Sequence, residues 1–263
     1  MIAVVGVGLI GGSFALAIRQ AGYSGKIVGV SSPPTVGAAL QLGVIDEAMP
    51  LAEAARAADI VYLAQPIQKI METIEVIDEF VRPGTVITDA GSTKHAIVQH
   101  AQRHIKRGHF VGGHPMAGKE SRGVEAAEAG LFRGRPYVLT SPQPVLEGWI
   151  EKIGARLVRL DAAEHDRRVA LVSHLPQLLS TALAPLLGDH AQVAGPAAMD
   201  MTRLALSPYD IWRDILSTNT GEIDAALAQY IQQLQAMRSA LPELREAFEG
   251  ASQSARRLRQ SDS

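Results

Sequence analysis

The sequence predicts an α/β protein in two parts, a parallel sheet flanked by helices over residues 1–150 and an all-helical region over residues 151–263. Three observations predict it. Short apolar runs alternate with helix-period stretches through the first half, glycines follow the first run at once, and after residues 143–144 the pattern turns almost wholly helical. A chain of 263 residues also favours two domains, at roughly 150 residues each.

Residues 2–7 form an apolar run suited to a strand buried on both faces. Residues 14–21 then read as helix, ended by Gly22. Further strands are expected at 26–30, at 60–64 (closed by Pro66) and at 86–89 (entered through Pro83 and Gly84). Helical stretches fall between them at 35–42, 51–57 and 67–80. One more strand is expected at 155–160. Beyond it, residues 171–187, 208–218 and 223–241 carry apolar side chains at helical spacing, and the polar, basic tail 255–263 is expected to fray.

Composition narrows the partners. Hydrophobic residues make up 47% and charged residues 20%, enough to bury a core and unlike a disordered chain. A formal net charge of -2 supplies no general basic field, so neither nucleic acid nor a membrane is an expected partner. Any anionic ligand must be held by a few placed cations. The absence of cysteine excludes disulfides, thiolate nucleophiles and cysteine-ligated metals, and no metal site is expected. Residues 1–18 carry no charge, but they lack a basic leader and are interrupted by Gly6, Gly8, Gly11 and Gly12. They read as strand, turn and helix start, and the protein is expected to be cytoplasmic.

Gly6, Gly8 and Gly11, with Leu9 and Ile10 between the last two, form a GxGxxG after a strand and at the opening of a helix. The glycines suit a tight turn, close approach of backbone to a pyrophosphate and close helix–sheet packing, while the helix N-terminus offers free N–H groups to phosphate. The alternative is a plain glycine-rich turn. Its place directly after the first strand favours a Rossmann-type dinucleotide-binding domain. At the end of the second strand, Ser31 and Ser32 stand where an acidic residue would bind the ribose of NAD. Hydroxyls accept a 2′-phosphate, which tilts the balance toward NADP without excluding NAD. No arginine follows them, and they could equally shape the turn before Pro33 and Pro34. Gln65 and Pro66, at the end of the third strand, are placed to meet the nicotinamide half.

Three further stretches carry a resemblance. They are residues 89–94 (DAGSTK), residues 112–123 (GGHPMAGKESRG), and a set comprising His165-Asp166, residues 173–176 (SHLP) and residues 200–203 (DMTR). Together, and in this order, they resemble the prephenate/arogenate dehydrogenase family. That resemblance implies a dinucleotide-binding domain joined to a helical domain that forms an intertwined homodimer. It also implies oxidative decarboxylation of prephenate to 4-hydroxyphenylpyruvate with hydride transfer to NAD(P), in tyrosine biosynthesis. Arogenate, oxidised to tyrosine, is the alternative cyclohexadienol substrate.

By the same resemblance His114 is the catalytic histidine, a residue type suited to accepting a proton from the ring hydroxyl near neutral pH. Ser92 is implied to orient that imidazole, although a serine there could also cap the helix expected over 94–104. Arg203 is implied to grip the ring carboxylate, which a guanidinium can do bidentately. His174 is implied to lie near the substrate side chain, with a satisfied core histidine as the rival reading. Glu120 resembles a carboxylate that gates the pocket, or is a solvated rim charge. His165 and Asp166 are given an interdomain structural role, and Tyr209 and Trp212 one in helix packing. Met199 stands where many relatives carry a basic residue. Neither an additional regulatory domain nor a fused mutase segment is expected.

Two other functions fit the fold. An imine or β-hydroxyacid reductase would rely on a lysine in the helical part, and Lys152, the last lysine in the chain, lies ahead of the strand expected at 155–160 and of every helix expected after it. A non-catalytic NAD(P) sensor would have no need of Ser92, His114 and Arg203 together.

Overall fold

The computed structural model describes residues 1–119 and 121–260. Its main sheet contains β1 (Ile2–Val5), β2 (Ile27–Val30), β3 (Glu47–Ala48), β4 (Ile60–Leu63), β5 (Val86–Asp89) and β6 (His109–Val111). All are parallel, in the order β3-β2-β1-β4-β5-β6. The connecting helices are α1 (Leu9–Gln20), α2 (Pro33–Gln41), α3 (Leu51–Ala57), α4 (Ile67–Ile77) and α5 (His95–His104). β1 and β4 are apolar runs, β5 ends in Thr88 and Asp89, and all three are buried at every residue, as strands covered by helices on both faces must be. On α4, Ile67, Ile70, Ile74 and Ile77 recur every three or four residues and are all buried. Strand order runs outward in opposite directions from β1 and β4, so the loops after these two strands part and leave a crevice at the carboxyl edge.

A second sheet follows. β7 (Gly113–Pro115) is antiparallel to β8 (Pro136–Leu139), which is parallel to β9 (Arg156–Arg159), and α6 (Pro144–Lys152) lies between the last two. The join expected between residues 150 and 151 therefore falls inside α6. Because β9 hydrogen-bonds to β8, the strand-bearing part extends to Arg159. Strands β3, β6, β7 and β8 were absent from the expected set. Each is only two to four residues long and is defined by its pairing partner rather than by periodicity.

The helical part comprises α7 (Ala162–Val169), α8 (Leu175–Gly188), α9 (Pro196–Thr202), α10 (Tyr209–Thr218), α11 (Thr220–Ser239) and α12 (Arg245–Gln260). Asp161 caps α7 by accepting from the backbone N–H groups of Ala163 and Glu164. A π-helical turn, Ala170–His174, joins α7 to α8. Pro176, which has no N–H to give to the preceding turn, follows at once and suits this widened geometry. The tail expected to fray is instead helical to Gln260, and residues 261–263 lie outside the described residues. The core of this part is small, centred on Ala170, Leu175, Ile223 and Ala226. Meanwhile Leu171, Val172, Leu186, Leu206, Leu241 and Phe248 are exposed. The run Ala162–Gly188 is also long and apolar enough to cross a membrane by length and mean hydropathy alone.

Candidate active site

The glycine loop shapes the floor of the crevice. Gly6 has φ +92°, and a Cβ there would lie 2.6 Å from the carbonyl oxygen of Ala64. The turn thus presses β1 against the end of β4. α1 begins at Gly8 with no side-chain cap and no acidic residue in its first turn, so its N–H groups and partial positive charge face the crevice.

Two adjoining cavities open there. The first, of about 410 Å³, is lined by Gly8, Leu9, Ile10, Gln65, Pro66 and Ser92, with Lys119 and Arg122. The second, of about 680 Å³, is lined by Gly6, Gly8, Ser31, Ser32, Gln65 and Pro66, with Thr35 and Lys69. The expected cofactor-binding residues therefore meet along one continuous cleft, apart from Gly11, which is buried within α1. Sequence reasoning missed Lys69, Lys119 and Arg122, the cations along it. The Ser32 hydroxyl lies 2.9 Å from that of Thr35. These features fit a nicotinamide dinucleotide: uncapped N–H groups for its pyrophosphate, and hydroxyls with a lysine beside the second-strand end.

His114 sits on β7, half-buried. β7 can lie against β5 because Gly113 has no side chain; a Cβ there would come within 2.6 Å of the Asp89 carbonyl oxygen. The Gly113 N–H also donates to Asp89 Oδ1 at 3.1 Å. His114 Nδ1 is 2.8 Å from His165 Nε2, and His165 Nδ1 is 2.7 Å from Asp166 Oδ1. The Asp166 carboxylate accepts from the backbone N–H groups of Lys94 (2.7 Å) and His95 (2.9 Å), at the start of α5. Asn219 Nδ2 donates to the Asp166 carbonyl at 2.9 Å and lies 3.3 Å from His174 Nδ1.

Electrostatics follow from this packing. Burial holds the His114 imidazole well below the usual histidine range, and the neighbouring His165, Lys94 and His174 add to it. Lys94 forms a fully buried ion pair with Asp89, and burial lowers its pKa although the carboxylate opposes that.

Several expectations change. Among the described residues no hydrogen bond joins Ser92 to His114; Nδ1 is held by His165 instead. Nor does Ser92 cap α5, because the Asp166 carboxylate takes both terminal N–H groups. His174 is buried, with its ring edge-on to Trp212 at 5.9 Å. Tyr209, expected in helix packing, is 67% exposed. Arg203 opens the 3-10 turn Arg203–Leu206, which is pinned to α8 by Gln177 and Ser180 through Leu204 and Ala205; its side chain is exposed and lines neither cavity. Glu120 lies outside the described residues.

Comparison with known proteins covers nearly the whole chain. Residues 14–163 match the family described as prephenate dehydrogenase, nucleotide-binding domain, and residues 161–251 match prephenate dehydrogenase, dimerization domain. The prephenate dehydrogenase of Lactococcus lactis subsp. cremoris is 36% identical over 228 residues, 83% of this chain. The chain spans 64% of that relative's length. The crystal structure of A. aeolicus prephenate dehydrogenase in complex with hydroxyphenyl propionate and NAD+ superposes with a TM-score of 0.83 and 29% identity, over 98% of this chain and 95% of that one. Synechocystis arogenate dehydrogenase gives 0.85 and 29%, over 98% and 99%. With both parts matched in sequence order, the chain belongs to the prephenate/arogenate dehydrogenase family.

Proposed function

We propose that the protein oxidatively decarboxylates prephenate to 4-hydroxyphenylpyruvate, with NADP preferred to NAD as hydride acceptor. The observation that carries this is His114 on β7, its Nδ1 occupied by a neighbouring histidine, on a strand bonded through Gly113 to Asp89, whose next residues Ala90, Gly91 and Ser92 line the cleft under the glycine loop. A bound nicotinamide would supply the acceptor for the hydride on the ring carbon that bears the hydroxyl. His114 Nε2 accepts the hydroxyl proton as that carbon gains carbonyl character. Its depressed pKa keeps the ring neutral, hence able to accept, at physiological pH. Carbon dioxide leaves with its bonding electrons donated to the ring, which becomes aromatic, and the proton returns to the phenol oxygen.

Arg203 grips the ring carboxylate in this reading, His174 faces the substrate side chain, and Ser92 contacts substrate or cofactor from the cleft lining. The NADP preference is supported by Ser31, Ser32, Thr35 and Lys69 on one cavity wall. The protein works as a homodimer, supported by the matched dimerization domain and the exposed apolar side chains of the helical part. Arogenate is the second reading, favoured by Asp210, whose carboxylate on the cleft lining would attract an ammonium group.

Reduction of NADP and NAD, each with prephenate and with arogenate, tests this by absorbance at the nicotinamide band. Turnover of prephenate with NADP is expected to give the highest kcat/KM. No reduction with either substrate would overturn the activity.

A further inference from the structure

We infer that His165 and Asp166 are positioning residues that fix His114 in the tautomer bearing its proton on Nδ1, which leaves Nε2 bare toward the substrate. This rests on the reading of His114 as the base.

The bonding order follows from what each group can give. Two backbone N–H groups, those of Lys94 and His95, aim at the Asp166 carboxylate, so its oxygens act as acceptors. His165 Nδ1, 2.7 Å away, must then donate to it. A neutral imidazole that donates from Nδ1 presents a lone pair at Nε2. That lone pair faces His114 Nδ1 at 2.8 Å, so His114 Nδ1 carries the proton and its Nε2 does not. Both His165 and Asp166 are shut off from solvent, where no water can substitute for either bond.

The arrangement also joins the two parts of the chain. Asp166 lies on α7, yet it caps α5 beneath the sheet, and Asn219 at the head of α11 holds its carbonyl. The tautomer of a base on β7 is thereby set by a helix of the other part. The same carboxylate serves as helix cap and as proton-placing acceptor, so the interdomain role given to His165-Asp166 is only half of what they do.

Asp166→Asn separates the two roles. With its oxygen in the place of Oδ2 the amide still accepts from the His95 N–H, but its NH2 in the place of Oδ1 gives up the Lys94 N–H and would donate to His165 Nδ1, reverse both imidazoles and put the His114 proton on Nε2. Turnover should fall on the order of 10²- to 10⁴-fold with cofactor KM nearly unchanged. His165→Gln, which keeps an acceptor opposite His114, should retain more kcat than His165→Leu. The deciding measurement needs neither substrate nor turnover: long-range proton–nitrogen correlation on the full-length protein labelled with 15N-histidine. His114 protonated at Nδ1 in the wild type, moving to Nε2 in Asp166→Asn, is the expected result. A wild-type His114 protonated at Nε2 would overturn the inference even if Asp166→Asn fails to fold. So would wild-type kcat in a folded Asp166→Asn variant.

Discussion

The ammonium of Lys94 and the carboxylate of Asp89 pair with no solvent access on either side, and the lysine's charge acts on the imidazole of His114. Burial is the largest cause of the depressed His114 pKa, with His165 on α7, Lys94 at the start of α5 and His174 on the π turn adding to it. Replacing the lysine therefore has a definite direction.

Lys94→Met removes a cation and leaves the Asp89 carboxylate, and both changes favour the protonated imidazole. The acid limb of kcat/KM should move to higher pH, while the rate at pH 8 is largely kept. Breaking a buried pair also costs about 3–5 kcal/mol, so the profile is best recorded at low temperature. An acid limb that stays in place would show that the lysine's charge does not govern the base.

His114→Asn tests the base itself. The asparagine amide can still donate to His165 but offers nothing where Nε2 stood. A fall in kcat of about two to four orders of magnitude is expected, with the KM for cofactor nearly unchanged, because the cleft lining is untouched. Unaltered turnover would remove His114 from the mechanism.

What the sequence made legible was whatever lies close together along the chain. Gly6, Gly8 and Gly11 were readable because the backbone demands of the turn fall within six residues, and α4 because its isoleucines repeat at helical spacing. His114 was readable only through the motif around it. Its real partner was hidden. His165 lies 51 residues away, and the cap of α5 comes from Asp166, 72 residues beyond Lys94. Ser92 was the local residue able to play both parts, and in the structure it plays neither. Lys69 escaped notice because nothing in α4 indicates that one of its turns borders the pocket of β2.

His174 makes stability depend on pH. Burial, aided by His165 and opposed by Asp166, lowers its pKa from 6.5 to about 4. The unfolded chain thus takes up the proton first as pH falls, so this stabilisation is full above about pH 6.5 and is lost toward pH 4. The difference corresponds to about 3 kcal/mol. Urea midpoints measured between pH 7 and pH 4 should decline less steeply for His174→Gln than for the wild type. Equal slopes would mean that another group carries the dependence.

Lys69 bears on cofactor choice. Its ammonium shares a cavity wall with Ser31, Ser32 and Thr35, and it is paired at 2.6 Å with Glu72, one turn along the exposed face of α4. A 2′-phosphate there would draw the ammonium toward the hydroxyls, and Glu72 competes with it for that charge. Lys69→Ala should raise the KM for NADP about tenfold, equivalent to about 1.4 kcal/mol, and leave that for NAD almost unchanged. Glu72→Gln should act in the opposite direction and tighten NADP. The two variants thus move the ratio of NADP to NAD specificity to opposite sides of the wild type. Equal effects of Lys69→Ala on both cofactors would assign the lysine to packing or adenine contact instead of phosphate recognition.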